Sequence, residues 1–246
     1  MSQCICPAEF AGFSLGLRFN YPETKDYLRH YLLSEEDALP SEIVSVSDQE
    51  FSDWKKAGNQ LDSYAEFCLM CMPVSETLLR HGRCVFHAAA IQYAGRAWLI
   101  AAGSGVGKST QCRNLMSMWP KEFSVINGDK PILERQSGGT IIVHPSPWNG
   151  KEGWKGDDAA PLGGIILLRR GNENSIVVSS TKESAARVFV SIFQSYREEY
   201  VIQLAGSFAE DLVKSCPIRL LTSHDVPAST ELLYSWLEQE VESYGV

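Results

Sequence analysis

The chain lacks the features that would direct it to a membrane, to export or to nucleic acid. It has no apolar run of about 18 residues, so the sequence predicts no membrane-spanning helix. The residues Met1–Cys6 have neither the basic nor the apolar region of a signal peptide, and we therefore expect a cytoplasmic protein. Basic residues are not in excess. The formal net charge is −8, which argues against nucleic acid or an acidic membrane surface as the main partner.

The sequence also has no second cysteine pair to complete a metal site. Cys68 and Cys71 form a C-x-x-C motif, which serves in redox pairs and as half of a zinc site. No further C-x-x-C or matching histidine pair follows, and the neighbouring residues are apolar, so core packing is the favoured interpretation. There are seven cysteines in total, and an odd number without an export signal predicts free thiols in a reducing compartment.

The length and composition predict a well-packed protein of one large or two small domains. The chain has 246 residues, of which 44% are hydrophobic. Residues 13–19 alternate between apolar and other residues, as in a half-buried strand, and 43–46 indicate another strand. The polar stretch 34–40 predicts a loop. Because no chemical motif occurs there, we interpret 1–80 as an N-terminal β-rich portion packed on a nucleotide-binding core, 81–246.

A glycine-rich loop between an apolar run and a helix provides the strongest functional signal. The run ends at Ala101, and the loop ends in Gly107-Lys108-Ser109-Thr110, which is the layout of a phosphate-binding P-loop. Glycines allow backbone amides to turn towards phosphate oxygens, Lys108 would neutralise the terminal phosphates, and Ser109 would bind Mg²⁺. The predicted ATP-binding residues are Gly103, Ser104, Gly105, Val106, Gly107, Lys108, Ser109 and Thr110.

The residues that flank the loop favour this interpretation over an incidental glycine-rich turn. The strict motif has glycine at the position of Ala102, so the match has one departure. A helix is predicted directly after the loop and ends at Pro120. Its apolar face consists of Cys112, Leu115, Met116 and Trp119.

A hairpin before the loop is predicted to bring a histidine to it. Residues 85–91 and 97–101 are apolar strands, and Ala94-Gly95 suits a two-residue turn. Counting back from that turn places His87 opposite Ala102, with Cβ atoms about 5 Å apart. A strand histidine often has only a structural role, so its side chain could point into the core or towards the phosphates.

Two further segments are candidates for the site. The strand at 123–127 is followed by Asp129, a position suited to holding Mg²⁺, although Gly-Asp is also common in plain turns. The loop 144–154 is rich in Pro and Gly and contains Trp148 and Lys151. It could cover the site as a lid that contacts substrate, or be an ordinary surface loop.

The remainder of the chain continues with strands and helices. The run 165–168 predicts a buried strand, and 218–221 predicts another. Ser180 and Glu183 form a capping box before a helix, and 207–210 is a second capping sequence. A final helix is predicted from about Ser229.

Taken together, these motifs resemble the HPr kinase/phosphatase and phosphoenolpyruvate carboxykinase type of P-loop protein. The resemblance covers about residues 80–170 and consists of 87–90, 104–109 and 127–129. Small uncharacterised HPr-kinase-like proteins are the most similar, because they share a Pro-Trp-x-Gly-Lys stretch such as Pro147–Lys151. The resemblance implies an α/β P-loop kinase core with a mixed β-sheet, ATP and Mg²⁺ as cofactors, and phosphoryl transfer to a serine hydroxyl.

The resemblance also assigns roles to individual residues and has two departures. His87, Lys108 and Asp129 would be catalytic, and Ser109 with Asp129 would hold the metal. The family has paired acids at the end of the strand, where this chain has Gly128 before the single acid. Thr110 replaces a glutamate. The acceptor could therefore be another peptide, a protein or a small hydroxyl compound, and the rival hypothesis is a nucleotide-binding accessory protein with little turnover.

Overall fold

The computed structural model describes residues 5–34, 40 and 42–244, so most of the loop predicted at 34–40 lies outside the described residues. The strands are Ile5–Phe10 (β1), Phe13–Arg18 (β2), Ile43–Val44 (β3), Arg83–Val85 (β4), Ala88–Tyr93 (β5), Arg96–Ala101 (β6), Ser124–Asn127 (β7), Ile132–Arg135 (β8), Ile141–His144 (β9), Ala160–Arg170 (β10), Ser175–Val178 (β11) and Ile218–Ser223 (β12). The helices are Thr24–Leu28 (α1), Asp48–Lys56 (α2), Ser63–Arg80 (α3), Lys108–Met118 (α4), Thr181–Ser191 (α5), Glu199–Ser215 (α6) and Val226–Ser243 (α7).

A mixed sheet forms the centre of the protein, as predicted. Its main path runs β4-β8-β9-β10-β6-β5-β7, and β12 and β11 continue from β10. Strand β10 is parallel to β6, and β5 is antiparallel to both β6 and β7. Strands β6, β7 and β10 therefore run in one direction, and their carboxyl ends lie at the same edge of the sheet.

The β5–β6 hairpin has the predicted turn and register. Tyr93 pairs with Arg96, and the pairing continues to Ala88 opposite Ala101. The turn residues Ala94 and Gly95 have φ angles of 48° and 72°. Two consecutive positive φ angles match the twist of paired strands in a two-residue hairpin.

Helices cover both faces of the central strands. Alternate residues of β5 and β6 point to opposite faces, so Leu99 joins one apolar cluster and Trp98 joins the other. The first cluster includes Val188 of α5 and Phe208 of α6, and the second includes residues of α4 and α7. Burial on both faces explains why these strands are nearly continuous in apolar residues.

The N-terminal portion is not β-rich, which corrects the prediction from sequence. Among the described residues before 81, the three short strands β1–β3 form one small sheet, but α3 alone is 18 residues long. The alternation of apolar and polar residues indicated the strands. The long helix α3 showed no clear helical periodicity, because much of its surface is buried and Pro73 lies within it. The division near residue 80 stays a prediction, since the apolar cluster of this portion includes Val85, Ile132 and Trp148.

The C-x-x-C motif lies in α3 and contributes to packing. Cys71 is fully buried in the N-terminal apolar cluster, and Cys68 packs against that cluster. Cys68 and Cys71 are free thiols, as are Cys84, Cys112 and Cys216. In the same part of the chain, no group of three or more His, Cys, Asp or Glu side chains is arranged to hold a metal ion.

Two helix starts differ from the prediction. Helix α6 begins at Glu199, and Ser207 lies in its middle on an exposed face, where it caps nothing. The apolar residues Val201, Phe208 and Leu212 lie on one face of α6 on both sides of Ser207, so a single helix continues through this point. Helix α7 begins at Val226, before the predicted Ser229. None of the described helices is both long and apolar enough to cross a membrane.

Candidate functional site

The glycine-rich loop connects β6 to α4 and requires glycine at two positions. Gly105 and Gly107 have φ angles of 73° and 126°, which residues with a Cβ rarely adopt. Gly107 is the N-cap of α4, and no side chain caps the helix start. The first turn of α4 also has no acidic residue. The amides of Lys108, Ser109 and Thr110 therefore remain available to an anion, which the positive end of the helix dipole favours.

Lys108 lies largely buried between the end of β6 and the histidine. Its Nζ donates to the carbonyl oxygen of Ala102 at 3.0 Å and lies 3.0 Å from Nε2 of His87. Burial lowers the pKa of the amine, and the nearby charge of Asp129 partly opposes this effect. An anion placed beside the amine would therefore stabilise its protonated, charged form.

His87 points into the cleft and not into the core. The strand pairing ends at Ala88, because the amide of His87 donates to the carbonyl oxygen of Ser191 at 2.7 Å. Its side chain is 34% exposed, and Nε2 lies 3.3 Å from Oδ1 of Asp129. Nε2 thus faces a donor, Lys108, and an acceptor, Asp129. A single ring nitrogen can serve only one of these two partners at a time.

Asp129 is held rigidly at the end of β7. The buried side chain of Asn127 accepts from the amides of Asp129 and Lys130 at 2.9 and 2.7 Å, so it fixes the turn. Burial raises the pKa of the Asp129 carboxyl, but the hydrogen bond from His87 and the charge of Lys130 outweigh it. The net pKa is well below that of an ordinary aspartate. Asp129 is therefore a charged carboxylate at neutral pH.

The segment 147–154 packs directly on this turn, and Trp148 anchors it. Trp148 is only 5% exposed, and its Nε1 donates to the carbonyl oxygen of Phe67 at 2.9 Å. Backbone bonds from Lys130 to Trp148 and from Gly128 to Trp154 fix both ends of the segment. The ring of Trp148 is held within the apolar cluster, so this residue anchors the segment, and its predicted contact with substrate stays a prediction. Only the tip 150–153, which includes Lys151, is exposed.

These elements enclose a polar cleft of about 560 Å³ at the carboxyl edge of the sheet. It brings together His87, Lys108 and Asp129 with most residues of the glycine-rich loop. Of the predicted residues, Val106 and Trp148 do not line it. The cleft can bind an anion through backbone amides and Lys108, and it presents a carboxylate and an imidazole to whatever lies beside that anion.

Sequence reasoning missed three charged residues that line the same cleft: Lys130, Glu152 and Arg170. Arg170, at the end of β10, donates to the carbonyl oxygens of Gly105 and Val106 at 2.9 and 3.3 Å, which ties the loop to the sheet. A signal existed, because Arg170 follows closely on an apolar strand whose carboxyl end should lie beside that of β6. Glu152 comes from the exposed tip, where no pattern indicated it.

The donor set fits a magnesium ion. Mg²⁺ prefers oxygen ligands and is commonly held by one or two carboxylates together with substrate phosphates. Ser109, Asp129 and Glu152 offer a hydroxyl and two carboxylates to the cleft.

The fold and the cleft define a mixed α/β protein with a polar site at the carboxyl edge of a mixed sheet. A family model described as "SynChlorMet cassette protein ScmC" matches residues 55–211. The match covers more than half of the chain, so the protein belongs to the ScmC family. No curated protein matches.

One comparison with solved structures finds an HPr(Ser) kinase/phosphatase from Coxiella burnetii. The sequence identity is 11%, the match covers 63% of this chain and 98% of the other, and the TM-score is 0.34. A similarity at this level does not show a shared function.

Proposed function

We propose that the protein is an ATP- and Mg²⁺-dependent kinase that transfers the γ-phosphoryl group to a hydroxyl of a peptide, a protein or a small molecule. The observation that carries the proposal is the convergence of Lys108, His87 and Asp129 on one cleft beside an uncapped helix start. An amine and free amides are the groups that bind phosphates. A carboxylate and an imidazole are the groups that orient a hydroxyl or accept its proton.

Phosphoryl transfer depends mainly on positioning and charge neutralisation, and the cleft has residues for both. The amides of 103–110 would hold the β- and γ-phosphates. Lys108 would leave Ala102 to neutralise the terminal phosphate. Arg170 would keep the loop in its binding shape through the two carbonyl contacts. Mg²⁺, held by Ser109 and Asp129, would offset the charge of the phosphate oxygens.

The acceptor hydroxyl would then attack the γ-phosphorus. The new bond joins the acceptor oxygen to the phosphorus, the bond from that phosphorus to the β,γ-bridging oxygen breaks, and ADP leaves. The hydroxyl proton passes to His87 or Asp129 and then to water. Once phosphate draws Lys108 away, Nε2 of His87 is released from that partner, so binding ATP itself prepares the imidazole.

Glu152 supports the assignment by offering a second carboxylate. The resemblance calls for paired acids at the strand end, and Gly128 occupies the first position. Glu152 lines the same cleft from the neighbouring tip, and Arg113 of α4 lies 3.8 Å from its carboxylate. One carboxylate could therefore hold the metal while the other orients the hydroxyl.

A nucleotide-binding accessory protein with little turnover is the second candidate. The observation that favours it is the pairing of Asp129 with both His87 and Lys130, because a carboxylate of low pKa is a weak base. ATP would then bind and change a partner contact without losing its γ-phosphate.

The experiment that separates the two uses ATP labelled at the γ- or the α-phosphate. The protein is incubated with each ATP, with Mg²⁺ or with EDTA, and with a library of serine and threonine peptides. A kinase transfers the γ label and not the α label, and only with Mg²⁺. Binding of ATP without transfer or release of the γ label contradicts the kinase and supports the accessory protein.

A further inference from the structure

A second pocket adjoins the phosphate cleft and shares a wall with it. Its volume is about 430 Å³, against about 560 Å³ for the cleft. Asp129, Lys130, Gly150 and Lys151 line both spaces. A molecule bound in the second pocket therefore lies next to the carboxylate that the proposed kinase uses.

The far wall of this pocket is aromatic. Tyr27 from α1 stacks on Phe67 from α3 with ring centroids 5.1 Å apart, and Tyr64 lies 6.1 Å from Phe67. Phe67 also stacks on Trp148 at 6.0 Å. We call the space between these rings and the wall formed by Asp129 and Lys130 the aromatic pocket. Aromatic rings held in such a cluster bind other flat apolar groups through stacked and edge contacts.

The exposure of two tyrosines indicates what kind of molecule the pocket receives. Tyr27 is 45% exposed and Tyr64 is 56% exposed, although both rings contact Phe67, a member of the N-terminal apolar cluster. Pockets for small ligands bury most of the ligand, whereas an open pocket suits one side chain of a chain that continues over the surface. Exposed aromatic groups beside a polar cleft are also typical of binding surfaces.

We infer that the aromatic pocket binds an aromatic side chain of a peptide acceptor and so presents a nearby serine or threonine hydroxyl to Asp129. The inference rests on the proposed function and narrows its substrate class to peptides with an aromatic residue within about two positions of the hydroxyl. An extended chain rises about 3.3 Å per residue, so a hydroxyl one or two residues away stays within about 7 Å of the aromatic side chain. Asp129 lines the wall that the two pockets share. Lys130 and Lys151 line both spaces and would offset the negative charge that the acceptor gains.

The test compares serine peptides that carry phenylalanine or alanine at each of the two positions before and after the serine. Peptide binding is measured by calorimetry with the protein and a non-hydrolysable ATP analogue, and phosphorylation is measured separately with ATP. We expect at least one phenylalanine position to raise affinity by roughly tenfold over alanine, as one well-packed aromatic contact allows.

The variant Tyr64→Ala removes one ring of the pocket without touching the phosphate cleft. We expect it to abolish the preference for phenylalanine while leaving the affinity for the ATP analogue unchanged. Tyr200→Ala is the matched control, because Tyr200 is 58% exposed on α6, away from this pocket. Equal binding of both peptide sets by the native protein, or a preference that survives Tyr64→Ala, overturns the inference.

The two readouts separate this inference from the proposed function. Selective binding of phenylalanine peptides without label transfer supports the binding role of the aromatic pocket and contradicts the proposed kinase activity. Label transfer with equal use of both peptide sets supports the proposed kinase activity and contradicts the binding role of the aromatic pocket.

Discussion

A Cβ atom added to Gly128 would clash with the carbonyl oxygen of Asn149. The backbone of the 147–154 segment thus occupies the space that an acidic side chain at this position would need. This packing leaves no room for a second acidic side chain at position 128. Gly128 and the anchored segment are parts of one arrangement, in which Gly150 likewise approaches Asp129 too closely for a side chain.

Gly128→Ala should therefore destabilise the protein, since either the segment or the turn has to move. We expect a loss of about 1–3 kcal/mol in the free energy of unfolding, which lowers Tm by about 2–4 °C per kcal/mol for a chain of this size. Thermal unfolding measures it. Gly206→Ala is the control, because a Cβ there meets nothing within 4 Å and α6 gains helix propensity. Equal Tm changes in the two variants would contradict the prediction, because they would show that the 147–154 segment moves without a loss of stability.

Lys108→Ala should weaken the binding of ATP while leaving the fold intact. A charged contact to phosphate contributes about 1.5–3 kcal/mol, so we expect Kd for Mg-ATP to rise roughly 10- to 150-fold. Calorimetric titration of ATP and of AMP measures the effect, and AMP should be little affected because it lacks the terminal phosphates. Lys121→Ala, on the exposed surface, is the matched control. Unchanged ATP affinity in Lys108→Ala contradicts a phosphate-binding role for the glycine-rich loop.

Asp129→Asn should retain ATP binding and lose most Mg²⁺-dependent turnover. The amide keeps the shape of the side chain but removes the charge that a metal ion requires. We expect turnover to fall by about 100-fold or more, as for the loss of a positioned acid–base group. Release of γ-phosphate is measured over a range of Mg²⁺ concentrations, with Asp158→Asn as an exposed control. A normal Mg²⁺ response in Asp129→Asn would assign the metal to another residue.

His87→Ala should lower phosphoryl transfer more than it lowers ATP affinity. The imidazole contacts Lys108 and Asp129, and its proposed role begins only after phosphate has drawn Lys108 away. We expect turnover to fall by about 100-fold and Kd for ATP to change by less than about 3-fold. His30→Ala, which changes an exposed histidine outside the cleft, is the control. If ATP affinity and turnover fall by the same factor, His87 only positions Lys108 and has no separate role in phosphoryl transfer.

The exposed tip 150–153 should become less accessible when ATP binds. Trp148 and Trp154 fix the ends of the segment, so movement is confined to the few residues between them, including Lys151. If Lys151 contacts a phosphate, trypsin should cut after it several-fold more slowly with Mg-ATP present. Mass spectrometry of the fragments identifies the site, and cleavage after Lys56 on α2 is the internal control. An unchanged rate at Lys151 argues against contact with nucleotide.

The local features of the site could be predicted from short stretches of sequence. Ala94-Gly95 fixed the hairpin turn, and counting back from it gave the paired residues as far as Ala88 opposite Ala101. In that count, His87 follows directly after this last pair. The glycine-rich loop and the apolar face of α4 could be predicted for the same reason, because each depends on residues that are close together in the sequence. The strand ending before Asp129 was predicted for the same reason.

The distant segments that complete the cleft could not be predicted in this way, because they meet only in the folded protein. Trp148 was expected in a lid and is an anchor, because its partners Phe10 and Phe67 come from the N-terminal portion. Arg170 reaches the loop because β10 is parallel to β6, and the aromatic pocket exists because α3 packs near the turn at Asp129. Contacts between residues far apart in the chain depend on how the elements pack together, and no periodicity within a single segment records that packing.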